Sequence, residues 1–423
     1  MMISYWSLSN GARLVVEEIP HVRSAAIGIY IGVGSRHEPE EMKGASHFIE
    51  HMLFKGTDDL TARDIAEKFE GIGGQLNAYT SKEYTCVYAR ILDENVKLAA
   101  QIMFDMVFNS RFYPRDFETE KGVVVEEINM NEDSPDDLIH DRFARRLWMD
   151  HPMGSPILGN LETVTAFNRD DVYGFYKSSY VPSNMVISVA GNVQAPAVKD
   201  MVEELMKEQS AGELHFPSHG HHEYTGFLDL MEKDTEQVQI CVGVQGISYH
   251  DNRRYALNVM NSILGGGMSS RLFQSLREEL GLAYSVYSYP SNYSDTGSYS
   301  IYIGTGQNKV KQCFEALENQ LQALVSQGIS EEELDRTRRL IKSSMYLGLE
   351  SVMNRMSRLG KAIMMYEKII SPEEAIQRVM QVETEQIKEL ALSLLRDQAI
   401  SVAAIGPGQV LQEVQKQYQD LWR

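Results

Sequence analysis

Ser24-Ala25-Ala26-Ile27-Gly28-Ile29-Tyr30-Ile31-Gly32-Val33-Gly34 reads as an apolar strand, and Ala45-Ser46-His47-Phe48-Ile49-Glu50-His51-Met52-Leu53-Phe54-Lys55 after it as a helix. The helix reading rests on apolar residues at 48, 49, 52, 53 and 54, on the absence of proline, and on the stop at Gly56. The same pair recurs two hundred residues on. Gln237-Val238-Gln239-Ile240-Cys241-Val242-Gly243-Val244 precedes a helix expected over 254–264, which stops at Gly265. Working outward, the hairpin-like stretch 76–92 matches 283–304, and helices at 96–108 and 310–324 follow. A long helix opens near Pro114 in one half and near Ser330 in the other, and apolar strands at 185–190 and 400–405 close the halves. The repeat predicts an α+β fold of two homologous domains, each an antiparallel sheet packed against helices. Residues 1–210 and 225–423 are the expected domains. Residues 211–224, rich in Gly, Ser, Pro and His, are the expected exposed linker.

A chain of 423 residues is longer than one core usually serves, in line with two domains. Hydrophobic residues at 43% and charged residues at 23% fall in the globular range, and no apolar run is long enough to span a bilayer. The opening Met1-Met2-Ile3-Ser4-Tyr5-Trp6 has neither the basic nor the apolar region of a signal peptide, so the expected location is the cytoplasm. Cys86, Cys241 and Cys313 are odd in number and far apart, which predicts buried thiols. The net charge of −19 argues against a nucleic-acid groove and suits basic ligands. Gly265-Gly266-Gly267 lacks the Gly-Lys-Ser/Thr of a phosphate loop and reads as a helix exit. The linker histidines have no fixed register with a carboxylate and are assigned no metal role.

Within the first helix, His47 and His51 are four apart and share a face, with Glu50 beside them. Two imidazoles presented together suit zinc, and a catalytic zinc needs a third protein ligand from elsewhere. The helix from Pro114 carries Glu120-Lys121-Gly122-Val123-Val124-Val125-Glu126-Glu127. Glu120 and Glu127 are seven apart and share a face, which can set Glu127 on the metal and Glu120 behind a ligand histidine. Glu126 projects about 100° away and is the weaker candidate. Glu50 is then the expected general base, accepting a proton from water and returning it to the leaving amine.

These residues resemble the insulinase and pitrilysin family of inverted zinc peptidases. Within it they are similar to the mitochondrial-processing-peptidase-like subfamily, which points to a bacterial processing protease. The resemblance spans nearly the whole chain. It includes His47, Glu50 and His51, the 120–127 block, Gly73-Gly74-Gln75-Leu76-Asn77-Ala78-Tyr79-Thr80, and Ser270-Arg271-Leu272-Phe273-Gln274-Ser275-Leu276-Arg277-Glu278-Glu279-Leu280-Gly281-Leu282-Ala283-Tyr284. It implies Glu127 rather than Glu126 as third ligand, Asn77 and Ala78 as a strand edge that pairs with substrate, and Arg277 with Tyr284 as a pair serving the substrate carbonyl.

The counterpart of the metal helix carries Asn258, Asn261 and Ser262 where the first half has histidine and glutamate, so one Zn2+ per chain is expected. By resemblance the chain is half of a clamshell, and because it carries both residue sets a homodimer with two equivalent sites is expected. An enclosed chamber implies short unfolded or presequence-like peptides as substrates, with Glu132, Asp133, Asp136 and Asp137 as candidate contacts for basic ones. The rival expectations are a non-catalytic core-type subunit and a peptide-binding module of the same fold. Zinc-dependent binding that survives Glu50→Gln without hydrolysis would favour the binding module over the peptidase, and the complete motif set argues against the core-type subunit.

Overall fold

Strand-forming runs and amphipathic helices alternate along the chain in two matching series. The structure is a computed structural model describing residues 2–149, 151–214, 216 and 223–422. The first series is β1 (Met2–Ser7), β2 (Arg13–Glu18), β3 (Ser24–Ile31), α1 (Ala45–Leu53), α2 (Ala62–Gly71), β4 (Gln75–Thr80), β5 (Thr85–Leu92), α3 (Val96–Asn109), α4 (Pro114–Asp133), α5 (Pro135–Trp148), α6 (Leu161–Ala166), α7 (Arg169–Ser179), β6 (Met185–Gly191) and α8 (Ala195–Leu205). The second is β7 (Leu228–Glu232), β8 (Gln237–Gln245), α9 (Arg254–Leu264), β9 (Ala283–Asn292), β10 (Gly297–Gly306), α10 (Val310–Gln327), α11 (Glu331–Gly348), α12 (Val352–Tyr366), α13 (Pro372–Met380), α14 (Thr384–Leu395), β11 (Ser401–Gly406) and α15 (Gly408–Trp422). The linker histidines His215, His219, His221 and His222 lie outside the described residues.

The sheet orders show the duplication directly. One sheet runs β1-β2-β6-β3-β5-β4 and the other β7-β11-β8-β10-β9, so every strand after β1 has a counterpart in the same place. The expectation of purely antiparallel sheets is corrected. β6 runs parallel to β2 and β11 parallel to β7, although both are antiparallel to their other neighbours. The closing strand returns after a set of helices, a connection long enough to bring it in parallel. Both sheets are therefore mixed.

The two compact units interleave along the chain. The first comprises residues 1–130, 155–220 and 347–369, and the second comprises 131–154, 221–346 and 370–423. The division in chain order drawn from the repeat differs from this by two segments: the one carrying α5 packs in the second unit, and the one carrying α12 in the first.

In the first unit one sheet face meets the core that includes α1, α3, α7 and α8, and α12 covers the other with Val352, Met356, Leu359 and Ile363. In the second unit α5 does the same with Leu138, Ile139, Phe143 and Leu147. Central strands are thus buried on both sides, which is why β3, β6 and β11 read as continuous apolar runs. The closeness of α12 to its sheet shows at Gly28, where a Cβ would lie 2.3 Å from the Met356 sulfur, and at Gly360, where it would lie 2.2 Å from the Tyr30 ring.

Each covering helix is also fixed by an ion pair to the strand beside the closing strand. Arg355 meets Glu17 of β2 at 2.5 Å, and Arg142 meets Asp229 of β7 at 2.6 Å. All three cysteines are free and buried. No described helix is long and apolar enough to cross a membrane.

Candidate metal centre

The site is built on α1, whose entry is unusual. Gly44 caps it at φ +97°, a conformation that favours glycine, and a Cβ there would lie 2.7 Å from the Leu158 carbonyl oxygen. The buried Glu38 carboxylate accepts the N–H groups of Gly44 and Ser46, each at 2.7 Å, so the first turn is anchored from below. Burial pushes the Glu38 carboxyl up to about 7 despite these hydrogen bonds. Phe48, Ile49, Met52 and Leu53 then bury the opposite face, and His47, Glu50 and His51 are left half-buried on the other.

The facing helix is α4. Phe117, Glu120, Val124 and Ile128 form its buried stripe, and Phe117 packs edge-on against Phe48 of α1 at 4.8 Å. That contact sets the register. It brings Glu127 Oε2 to 3.6 Å from both His47 Nε2 and His51 Nε2, and one ligand atom from each of the three residues falls within 4.8 Å of the others. Glu126 is exposed and takes no part.

The donor set fits zinc. Ligand atoms about 2.0–2.1 Å from a tetrahedral ion stand about 3.3 Å apart, so the two 3.6 Å distances to Glu127 need only a slight contraction, while the set as a whole, within 4.8 Å, would draw in around the ion. Two imidazole nitrogens with one carboxylate oxygen also match the preference of a borderline-soft ion over that of calcium or magnesium.

The two histidines shift in opposite directions: burial lowers His51, but the hydrogen bond to Glu120 and the charges of Glu127, Glu120 and Glu50 outweigh it and raise the ring above its ordinary value. Burial, and then repulsion from His51, push His47 down to about 4, so its ring is neutral near pH 7. Its Nδ1 is buried without a hydrogen-bond partner among the described residues. His51 Nδ1 meets Glu120 Oε1 at 2.8 Å, and the other oxygen of Glu120 takes Lys55 Nζ at 2.6 Å. Burial raises the Glu120 carboxyl, but the hydrogen bonds to His51 and Lys55 outweigh it and hold the group below its ordinary value. An ionised Glu120 accepts a hydrogen bond from Nδ1–H, and in that tautomer the Nε2 lone pair of His51 is free toward the cluster.

Glu50 stands apart from the three donors. Burial raises its carboxyl, opposed by a hydrogen bond from Thr80 Oγ1 to Oε2 at 2.6 Å. A carboxylate pushed toward neutrality can both accept and return a proton.

Asn77 and Ala78 lie on β4, which is the sheet's edge, with Asn77 exposed and its carboxamide oxygen accepting the Ala78 N–H at 2.8 Å. Arg277 and Tyr284 belong to the second unit and pack together, the guanidinium carbon 5.7 Å from the Tyr284 ring centre. Tyr284 is 76% exposed on β9, also an edge strand. Lys55, Thr80 and Glu38 were not singled out from the sequence. Of these only Lys55 left a local signal, one turn beyond His51.

Comparison with known proteins agrees with this arrangement. The profile described as insulinase (peptidase family M16) matches residues 13–161, and that of the peptidase M16 inactive domain matches residues 166–341. The chain is similar to an uncharacterized zinc protease of Bacillus subtilis, 43% identical over 96% of this chain and 98% of the relative. It is also similar to one of Streptomyces coelicolor, 37% identical over 95% and 89%. Among solved structures it resembles a protease from Helicobacter pylori, with a TM-score of 0.91 at 20% identity over 96% of this chain and 99% of that one. A peptidase M16 inactive domain from Pseudomonas fluorescens gives 0.90 at 20% identity over 96% and 98%. With its fold shared at that level and its sequence shared with these relatives over almost its full length, the chain belongs to the insulinase (peptidase M16) family.

Proposed function

We propose that the chain is a zinc-dependent endopeptidase of the cytoplasm that cleaves short unfolded or presequence-like peptides. The observation that carries this reading is the convergence of His47, His51 and Glu127, two imidazoles and a carboxylate, with the half-buried Glu50 carboxylate on the same helix as the two histidines. In it His47, His51 and Glu127 hold one zinc ion per chain, and Glu120 orients His51. When bound, the ion supplies Lewis acidity that polarises a peptide carbonyl and makes water a nucleophile near neutral pH. Glu50 takes the proton of the attacking water and delivers it to the departing amine.

Residues 77 and 78 on the open edge of β4 receive the extended peptide by main-chain pairing, which holds substrates largely independent of side chain. Arg277 and Tyr284, supported by their mutual packing and by the family resemblance, serve the carbonyl that develops negative charge. The net charge of −19 favours basic peptides. A homodimer follows from a chain that carries both residue sets, since two-fold pairs are the commonest closed assemblies.

The test is hydrolysis of a quenched basic peptide of about 10 to 20 residues, a length suited to extended binding. Chelation abolishes cleavage and added zinc restores it. Cleavage that persists at full rate after the metal is removed contradicts the reading.

A further inference from the structure

The proposed base would be ineffective if its carboxylate wandered, and among the described residues one hydrogen bond restrains it. Thr80 Oγ1 lies 2.6 Å from Glu50 Oε2, with no other hydrogen-bond partner of that carboxylate among the described residues. The same hydroxyl lies 3.4 Å from the Ser46 carbonyl oxygen, but its one proton goes to the nearer and charged acceptor. Thr80 is the last residue of β4, paired with Thr85 of β5. Along a strand alternate residues share a face, so Thr80 points to the same side as Ala78, which is buried at 8% exposure, while Asn77 points to the other. β4 packs against α1. The edge strand and the helix that carries Glu50 are therefore joined at the carboxylate itself.

We propose that Thr80 is a positioning residue that fixes the Glu50 carboxylate and ties it to the edge strand. This rests on the reading of Glu50 as the base. Holding one carboxylate oxygen leaves the second as the proton acceptor and removes the rotation that would carry it out of reach. Since strand addition along β4 would place a peptide beside residues 77 and 78, three and two positions before Thr80, the residue that holds the base and the edge that receives the substrate share one strand.

The experiment compares Thr80→Val, Thr80→Ser and Glu50→Gln with wild type, measuring kcat, KM and zinc affinity by chelator competition on the full chain. Valine keeps the β-branched shape and removes only the donor. Thr80→Val should lower kcat by about 10- to 100-fold, the scale on which a misplaced catalytic group loses rate. KM and zinc affinity should stay within about threefold of wild type, since neither substrate binding nor the metal donors lose a contact. Thr80→Ser, which keeps the donor, should restore most of kcat. A wild-type kcat in Thr80→Val with Glu50→Gln inactive overturns the role of Thr80 and leaves the base assignment standing. An active Glu50→Gln protein overturns both. Parallel loss of zinc affinity and kcat in Thr80→Val that serine does not restore would mean a structural role only, and overturns the proposal.

Discussion

Lys55, Glu120 and His51 form a chain of opposite charges behind the converging side chains of His47, His51 and Glu127. Glu120 is 3% exposed, and each oxygen has one partner, His51 Nδ1 on one side and Lys55 Nζ on the other. The hydrogen bonds to His51 and Lys55 keep the buried carboxylate charged, and the carboxylate in turn orients the His51 ring. Replacing Glu120 with glutamine should therefore weaken zinc binding by about 10- to 100-fold, the usual cost of losing an outer-shell carboxylate. Chelator competition measures this, and an unchanged affinity would mean that His51 needs no partner. The pairing of Glu120 with Glu127 was legible in the sequence because seven residues nearly close two helical turns, and periodicity is a local property. Thr80 was not legible. Its link to Glu50 exists only after β4 is laid against α1, thirty residues away in the chain.

At the scale of elements, the repeated strands and helices, β3 with α1 and β8 with α9 among them, were readable from hydrophobic period, because each buries a face whose spacing its own residues set, whereas β1, β2, α2, α5 and α12 were not singled out. The direction of β6 and β11 was not readable. Parallel or antiparallel entry depends on where a strand inserts, between β2 and β3 or between β7 and β8, and no residue within it encodes that. The covering role of α12 was hidden for the same reason, although its ion pair can be tested. Glu17 is 1% exposed and its Oε1 takes Arg355 at 2.5 Å, while Arg358 reaches its other oxygen only at 3.8 Å. Arg355→Ala leaves a buried carboxylate nearly unpaired. We expect a loss of about 3 kcal/mol, at the low end for breaking a buried pair because Arg358 remains. Urea unfolding would show it as a lower midpoint at unchanged slope. A loss below about 0.5 kcal/mol, the range of ordinary surface substitutions, would mean that α12 is held by packing alone.

At the scale of the whole molecule the chain passes between its two units five times, at 130/131, 154/155, 220/221, 346/347 and 369/370. The duplication was visible in sequence order, but the exchange of α5 and α12 was not, since a repeat aligned along the chain says nothing about which copy a helix covers. One consequence is that neither half should fold alone. A fragment of residues 1–220 lacks α12, and with it the cover over Val15, Ala26, Tyr30, Val186 and Ala190. It should bind a hydrophobic dye and lack near-UV circular dichroism, and adding a peptide of residues 347–369 should reverse both. A well-ordered, non-binding fragment would contradict the exchange.

We propose that the half-buried Glu50 carboxylate, beside the converging donors His47, His51 and Glu127, drives peptide hydrolysis. The most direct measurement is cleavage of a quenched basic peptide by wild type and by Glu50→Gln at equal zinc content. We predict that wild type cleaves and that the variant keeps its zinc but loses at least about 100-fold in kcat, the contribution expected of a general base. If both proteins hold zinc and neither cleaves any member of a diverse peptide library, the account is contradicted, and a zinc-containing binding module takes its place.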